Sequence, residues 1–68
     1  MVKGDVLKAK IQGCGLTCRD VAIGIGIDES TFYRKLTREK KSFSVEEVKR
    51  MKDMLHLTAN ETAHIFFA

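Results

Sequence analysis

The chain has 68 residues, of which 44% are hydrophobic and 31% charged, and its formal net charge is +3. This composition is typical of a globular domain rather than a disordered segment, and no apolar run approaches the roughly 20 residues of a membrane span. The N-terminal letters M-V-K-G-D lack the apolar core of a signal peptide, so we expect a single cytoplasmic domain over residues 1–68. A bundle of three to five helices is the usual fold at this length.

Positive charge is concentrated in the first part of the chain. Residues 1–43 contain nine basic and five acidic side chains, whereas residues 44–68 contain three basic and four acidic ones. Such an excess is ordinary for a solvated surface when it stands alone. It supports nucleic-acid binding where a binding motif accompanies it.

The first predicted helix covers residues 2–12, because Val6, Leu7 and Ile11 recur at helical spacing. Gly13 is expected to break it and to lead into a turn. Three basic side chains of this helix are expected to point largely into solvent: Lys3, Lys8 and Lys10.

Residues 17–36 predict two short helices joined by a tight turn. Thr17 can cap the first of them, and Asp20 stands at the spacing of a reciprocal capping box. Gly26 can adopt the left-handed conformation that ends a helix, and Asp28 offers the next cap. The pattern indicates a helix-turn-helix motif.

Two small residues inside the motif indicate close approaches. Ala22 stands where two crossing helices must come near one another. Gly24 lies inside the first helix, where glycine costs about 1 kcal/mol relative to alanine if it is exposed. It marks a close contact either with a DNA backbone or with another helix.

The second helix of the motif, about residues 28–36, has two different faces. Phe32 and Leu36 repeat at i, i+4 and are expected to face inward. The opposite face is polar and carries one aromatic ring and one guanidinium, which suits the major groove of DNA. Its side chains are Glu29, Ser30, Tyr33, Arg34 and Thr37.

The remaining chain predicts a polar loop and two further helices. Residues 37–43 form the loop, whose basic side chains either contact DNA phosphates or are simply solvated. Ser44 with Glu47, and Thr58 with Glu61, have the spacing of capping boxes. The inward face of the fourth helix is expected to carry Val48, Met51 and Leu55.

The last residues are more apolar than a frayed terminus should be. Helical spacing places Ala63, Phe66 and Phe67 on one face, with Ile65 off it. Either the fifth helix closes the core or its apolar side chains meet a partner. Both hold if Phe66 lies in the core and Phe67 or Ile65 lies at a dimer contact. A homodimer through Ile65, Phe66 and Phe67 is therefore one expectation.

No residues stand at catalytic or metal-binding spacing. Cys14 and Cys18 are separated by three residues, and His56 and His64 do not match the usual zinc patterns. We expect reduced thiols, no metal, no cofactor and no enzymatic activity.

The motif residues resemble the helix-turn-helix of Cro and phage-repressor type (XRE-like) regulators, above all small ones from phages and mobile elements of Gram-positive bacteria. The matching pieces are Leu16-Thr17, Val21-Ala22, Gly26-Ile27, Ser30-Thr31-Phe32, Arg34-Lys35, Phe43, Glu47-Val48, Leu55-His56-Leu57-Thr58 and Ile65-Phe66-Phe67. The resemblance implies an all-α, compact five-helix, lambda-repressor-like DNA-binding domain. It also implies a transcription regulator whose recognition helix, about residues 28–36, enters the major groove of an operator in double-stranded DNA.

The resemblance also assigns site residues by position. Base or groove contacts are implied for Ser30, Thr31, Tyr33 and Arg34, of which Arg34 is the strongest base reader. Contacts at or near phosphates are expected for Thr17, Cys18, Arg19, Lys35, Arg38, Lys40 and Lys41. Many members have Gln where Cys18 stands, so that contact departs from the family pattern.

An alternative function is a helix-turn-helix protein-binding module that acts as modulator or antirepressor of a partner repressor.

Overall fold

Every regular element in residues 3–37 and 43–67, which this computed structural model describes, is an α-helix. The helices are α1 (Gly4–Gly13), α2 (Cys18–Ile25), α3 (Glu29–Thr37), α4 (Val45–Met54) and α5 (Ala59–Phe66). The all-α prediction is therefore confirmed. No helix within these ranges is both long enough and apolar enough to cross a bilayer.

Helix α1 differs from its predicted bounds at both ends. It begins at Gly4 and includes Gly13, which was expected to break it. Leu7 and Ile11 are buried as predicted, and Val6 is half-buried. The backbone N–H of Cys14, just beyond the helix, donates to carbonyl oxygens of the last turn.

Helices α2, α4 and α5 each begin with the predicted capping box. In each box the cap hydroxyl accepts a hydrogen bond of 3.1 Å from a backbone N–H, and the acidic side chain accepts one from the N–H of the cap. The pairs are Thr17 with Asp20, Ser44 with Glu47 and Thr58 with Glu61. Each hydroxyl cap is worth about 0.5–2 kcal/mol, so local sequence fixes where these helices start.

The three acids of the capping boxes have lowered pKa values in the folded chain. Burial acts to raise the pKa of Glu47, but hydrogen bonds from Lys35 and Ser44 outweigh it and lower that pKa below its ordinary 4.5. The hydrogen bonds that Asp20 and Glu61 accept lower their pKa values as well. The folded chain therefore binds protons less readily than the unfolded chain in mildly acidic solution.

We expect the free energy of unfolding to fall in acid. Because the folded pKa values are depressed, this stabilisation is complete above the unfolded values, near about pH 4–4.5, and is lost as the pH falls through the folded values. Urea denaturation at a series of pH values measures the loss, and Glu47→Gln should flatten the curve. Stability that stays constant down to pH 3, or rises there, would contradict this expectation.

The turn of the motif is built by Gly26. Its φ of 83° is left-handed, its N–H donates to the carbonyl of Ile23 at 3.1 Å, and the N–H of Ile27 donates to the carbonyl of Ala22 at 3.0 Å. Helix α3 then begins at Glu29. Ala22 is fully buried, in line with the close approach predicted for it.

Gly24 marks a contact between two helices. A Cβ atom built on Gly24 would lie 2.5 Å from both Sδ and Cε of Met54, which belongs to α4. Of the two interpretations that the sequence left open, close approach to another helix is the one that the structure supports. Helix α2 packs against both α3 and α4.

An aromatic cluster joins the elements on either side of the undescribed residues 38–42. The ring centroid of Phe43 lies 5.4 Å from that of Phe32 on α3 and 5.9 Å from that of Phe66 on α5. Such tilted and edge-on pairs add about 0.5–1.5 kcal/mol beyond their buried area. The inward faces of α3 and α4 are buried as predicted, at Phe32, Leu36, Val48, Met51 and Leu55.

The predicted face of Ala63, Phe66 and Phe67 on α5 is wrong except for Phe66, which was expected in the core and is buried. Ile65 is 0% exposed and Phe66 is 6% exposed, whereas Ala63 faces solvent and Phe67 is 69% exposed. The helix ends at Phe66, so Phe67 leaves the helical spacing on which the prediction relied, and the buried stripe runs through Thr62 instead. Ile65 and Phe66 close the core of their own chain. Of the three residues expected at a homodimer contact, Phe67 alone is exposed.

Candidate nucleic-acid interface

The polar face of α3 lies on the surface. Phe32 and Leu36 anchor the helix in the core, and the opposite side is open to solvent. Thr31, also predicted to contact bases or the groove, is half-buried between the two faces. The exposed side chains are those that the sequence placed there: Glu29, Ser30, Tyr33, Arg34 and Thr37.

The exposed face carries groups that can form hydrogen bonds outward. Arg34 has a planar guanidinium with five N–H donors, and Ser30 has a hydroxyl that can donate or accept. Thr37 is the exception, because its hydroxyl donates to the backbone carbonyl of Tyr33 at 2.8 Å. Arg34 and Ser30 are thus the strongest candidates for a direct contact with a polar ligand.

Tyr33 is only partly surrounded by the protein. Its side chain is 41% exposed, and the ammonium of Lys8 on α1 lies 5.5 Å from the centre of its ring. The neighbouring Cys18 thiol raises the pKa of Tyr33 above its ordinary 10, and the charge of Glu29 adds to this. A tyrosine phenol is protonated at neutral pH even at its ordinary pKa of about 10, so the Tyr33 hydroxyl can donate a hydrogen bond.

The N-terminal end of α2 lies beside Tyr33. Thr17 and Arg19 are exposed there and Cys18 is half-buried. Thr17 and Cys18 border the same surface cleft as Tyr33. The structure therefore brings two of the predicted phosphate contacts, Thr17 and Cys18, together with Tyr33 of the exposed α3 face.

Lys35 occupies a different environment from the other predicted phosphate contacts. Its ammonium group donates to both carboxylate oxygens of Glu47, at 2.8 and 3.1 Å, and lies 5.7 Å from the ring centre of Phe43. Its side chain is only 19% exposed. The charge of Lys35 is thus compensated where α3 meets the start of α4, and its contact with phosphate stays a prediction.

Three further predicted phosphate contacts lie outside the described residues. They are Arg38, Lys40 and Lys41, which stand between α3 and α4 in the sequence.

Sequence patterns did not identify Lys8 as part of this face. Its spacing indicated only a solvent-facing position on α1, and the contact with Tyr33 joins residues far apart in the chain. No local pattern in the sequence could have predicted this contact, because helical periodicity does not indicate which other helix lies nearby.

The described residues hold no cluster of three or more histidine, cysteine, aspartate or glutamate side chains that could bind a metal ion. Cys14 and Cys18, both in this part of the chain, form no disulfide. Cys14 donates weakly to the carbonyl oxygen of Leu55 at 3.6 Å.

Comparisons of the chain with protein-family models, curated proteins and solved structures found no match. The function is therefore inferred from the residues and geometry of the α3 face.

Proposed function

We propose that the chain is a sequence-specific, DNA-binding transcription regulator of the phage-repressor type, with α3 as its recognition helix. The observation that carries the proposal is the division of α3 into two faces. Phe32 and Leu36 fix the helix in the core, while Tyr33 and Arg34 stand exposed on the other side. A helix held in this way can enter the major groove without exposing the core.

The side chains of α3 suit direct contact with base edges. The major groove is about 12 Å wide and admits an α-helix, and each base pair presents a distinct pattern of donors and acceptors there. Arg34 can donate two parallel hydrogen bonds to O6 and N7 of guanine. Tyr33 can pack against a thymine methyl group or donate to a phosphate, and Ser30 can bond to a base or to the groove wall.

Glu29 is the acidic member of this face. A carboxylate is repelled by phosphates, but it can accept a hydrogen bond from the N4 amino group of cytosine. Glu29 is exposed at the first turn of α3, the end that helix-turn-helix proteins direct at base edges. In the proposed complex its charge disfavours other bases and so contributes to selectivity.

Selection of bound fragments from random duplex DNA tests the proposal. We expect the wild-type chain to enrich a defined sequence. Arg34→Ala should lose affinity for that sequence by about 1–3 kcal/mol, or five- to 150-fold, with a smaller loss on random duplexes. Arg50→Ala removes the same charge from an exposed arginine on α4 and is the matched control.

Two results would contradict the proposal in different ways. Failure of the wild-type chain to bind or enrich any duplex would exclude sequence-specific DNA binding. An equal loss for Arg34→Ala on selected and random duplexes would show that Arg34 contacts phosphate and reads no base.

The second candidate function is a protein-binding module that modulates a partner repressor. The observation that favours it is the exposure of large apolar side chains on other segments than α3. Ile23 is 66%, Val45 70% and Phe67 69% exposed. If the chain binds no duplex but forms a complex with a purified repressor, this second function is the correct one.

A further inference from the structure

Helix α1 touches α3 at two places. A Cβ atom built on Gly4 would stand 2.7 Å from the backbone carbonyl oxygen of Leu36, so the first turn of α1 approaches the last turn of α3 closely. One turn further along α1, the ammonium of Lys8 reaches to 5.5 Å from the ring centre of Tyr33. Within the described residues Lys8 forms no salt bridge, in contrast to Lys10, which pairs with Glu61.

A surface cleft of about 280 Å³ opens beside this contact. Its apolar base is formed by Ile11 and Leu16. Its polar border combines side chains of α1, of the start of α2 and of α3, namely Lys8, Gln12, Thr17, Cys18 and Tyr33. None of these bordering residues is acidic, and several can donate hydrogen bonds into the cleft.

We propose that Lys8 is a further DNA contact, which binds a backbone phosphate at this cleft and holds the Tyr33 ring in place for the groove. The inference rests on the proposed function and extends the DNA surface to α1, which sequence patterns had left in solvent. The ammonium supplies the cation, and the Gln12 amide and the Tyr33 phenol are donors on the same border. A cation beside an aromatic ring is attracted by about 0.5–1 kcal/mol at an exposed site, so the two side chains orient each other.

The surrounding charges are compatible with an anion in the cleft. Asp20 is the nearest acid along α2, and its carboxylate already accepts the backbone N–H of Thr17 at 2.9 Å. Glu29 lies near the Tyr33 phenol, whose pKa its charge helps to raise. Among the described residues that line the cleft, Lys8 is the one with a positive charge. This charge offsets that of Glu29 where a phosphate would approach.

The experiment compares matched lysine variants in the full chain. Lys8→Met and Lys52→Met remove the same charge from exposed positions on α1 and α4. Binding to the selected duplex and to a random duplex is measured at several salt concentrations. We expect Lys8→Met to weaken binding to both duplexes by about three- to tenfold and to reduce the salt slope by about 0.9, the value for one lost phosphate contact.

Two further variants separate a phosphate contact from a general effect of charge. Lys8→Arg keeps a cation that can bind phosphate and should restore most of the affinity and the slope. In a Tyr33→Ala background, Lys8→Met should weaken binding less than in the wild type, because the ring no longer orients the ammonium.

Each alternative result overturns a defined part of the proposal. Equal effects of Lys8→Met and Lys52→Met on affinity and slope would show that Lys8 acts only through net charge. Additive losses for Lys8→Met and Tyr33→Ala would exclude the orienting role. If the wild-type chain binds no duplex, the proposed function itself is refuted. If the wild-type chain binds and Lys8→Met binds with the same affinity and salt slope, only the role of Lys8 is refuted.

Discussion

Replacement of Phe32 by alanine should lower the free energy of unfolding by about 3–5 kcal/mol. The side chain is 0% exposed, and its ring packs against that of Phe43 at a centroid distance of 5.4 Å. Truncation to alanine removes the apolar surface that the Phe32 ring buries and leaves a cavity where α3 meets the start of α4. Small domains are stable by only about 5–15 kcal/mol, so a large share of the total would be lost. Urea denaturation followed by far-ultraviolet circular dichroism measures the effect.

Tyr33→Ala is the matched control, because Tyr33 is the next residue on the same helix and is 41% exposed. We expect the free energy of unfolding of this variant to lie within about 1 kcal/mol of the wild-type value, because surface substitutions usually change it by about 0.5 kcal/mol and Tyr33 is partly covered. The variant should nevertheless bind the selected duplex more weakly. Phe32→Ala should lose binding only in proportion to the unfolded fraction. Comparable stability losses for both variants would show that the two faces of α3 are not separated as the structure describes.

Local sequence is sufficient to predict where α2, α4 and α5 start and where α2 ends. The three capping boxes at Thr17, Ser44 and Thr58 and the left-handed Gly26 are all present as predicted. These features depend on hydrogen bonds and backbone angles within a few residues. Residues so close in the sequence are also close in space, so their spacing is enough to predict the contact. The inward residues of α3 and α4 follow from helical periodicity for the same reason.

Contacts between distant segments could not be predicted in this way. The Lys35–Glu47 ion pair and the approach of Lys8 to Tyr33 depend on how the helices lie against one another. The exposed polar face of α3 was therefore predictable from its own residues, whereas the cleft that α1 forms beside it was not. Gly24 is intermediate, because its sequence indicated a close contact but not the partner, which is Met54.

Ile65→Ala should lower the free energy of unfolding by about 2–5 kcal/mol, whereas Phe67→Ala should change it by no more than about 0.5 kcal/mol. Ile65 is 0% exposed, and its backbone carbonyl accepts the N–H of Lys3 at 2.9 Å, which ties α5 to the start of α1. Phe67 is 69% exposed, although its ring lies 6.5 Å from that of Phe66. Urea denaturation of both variants tests this difference, and light scattering measures the molecular mass of each variant in solution.

A lower mass for Phe67→Ala with unchanged stability at low concentration would place Phe67 at a contact between two chains. Equal stability losses for the two variants would instead mean that Phe67 is buried in the folded chain, contrary to the structure.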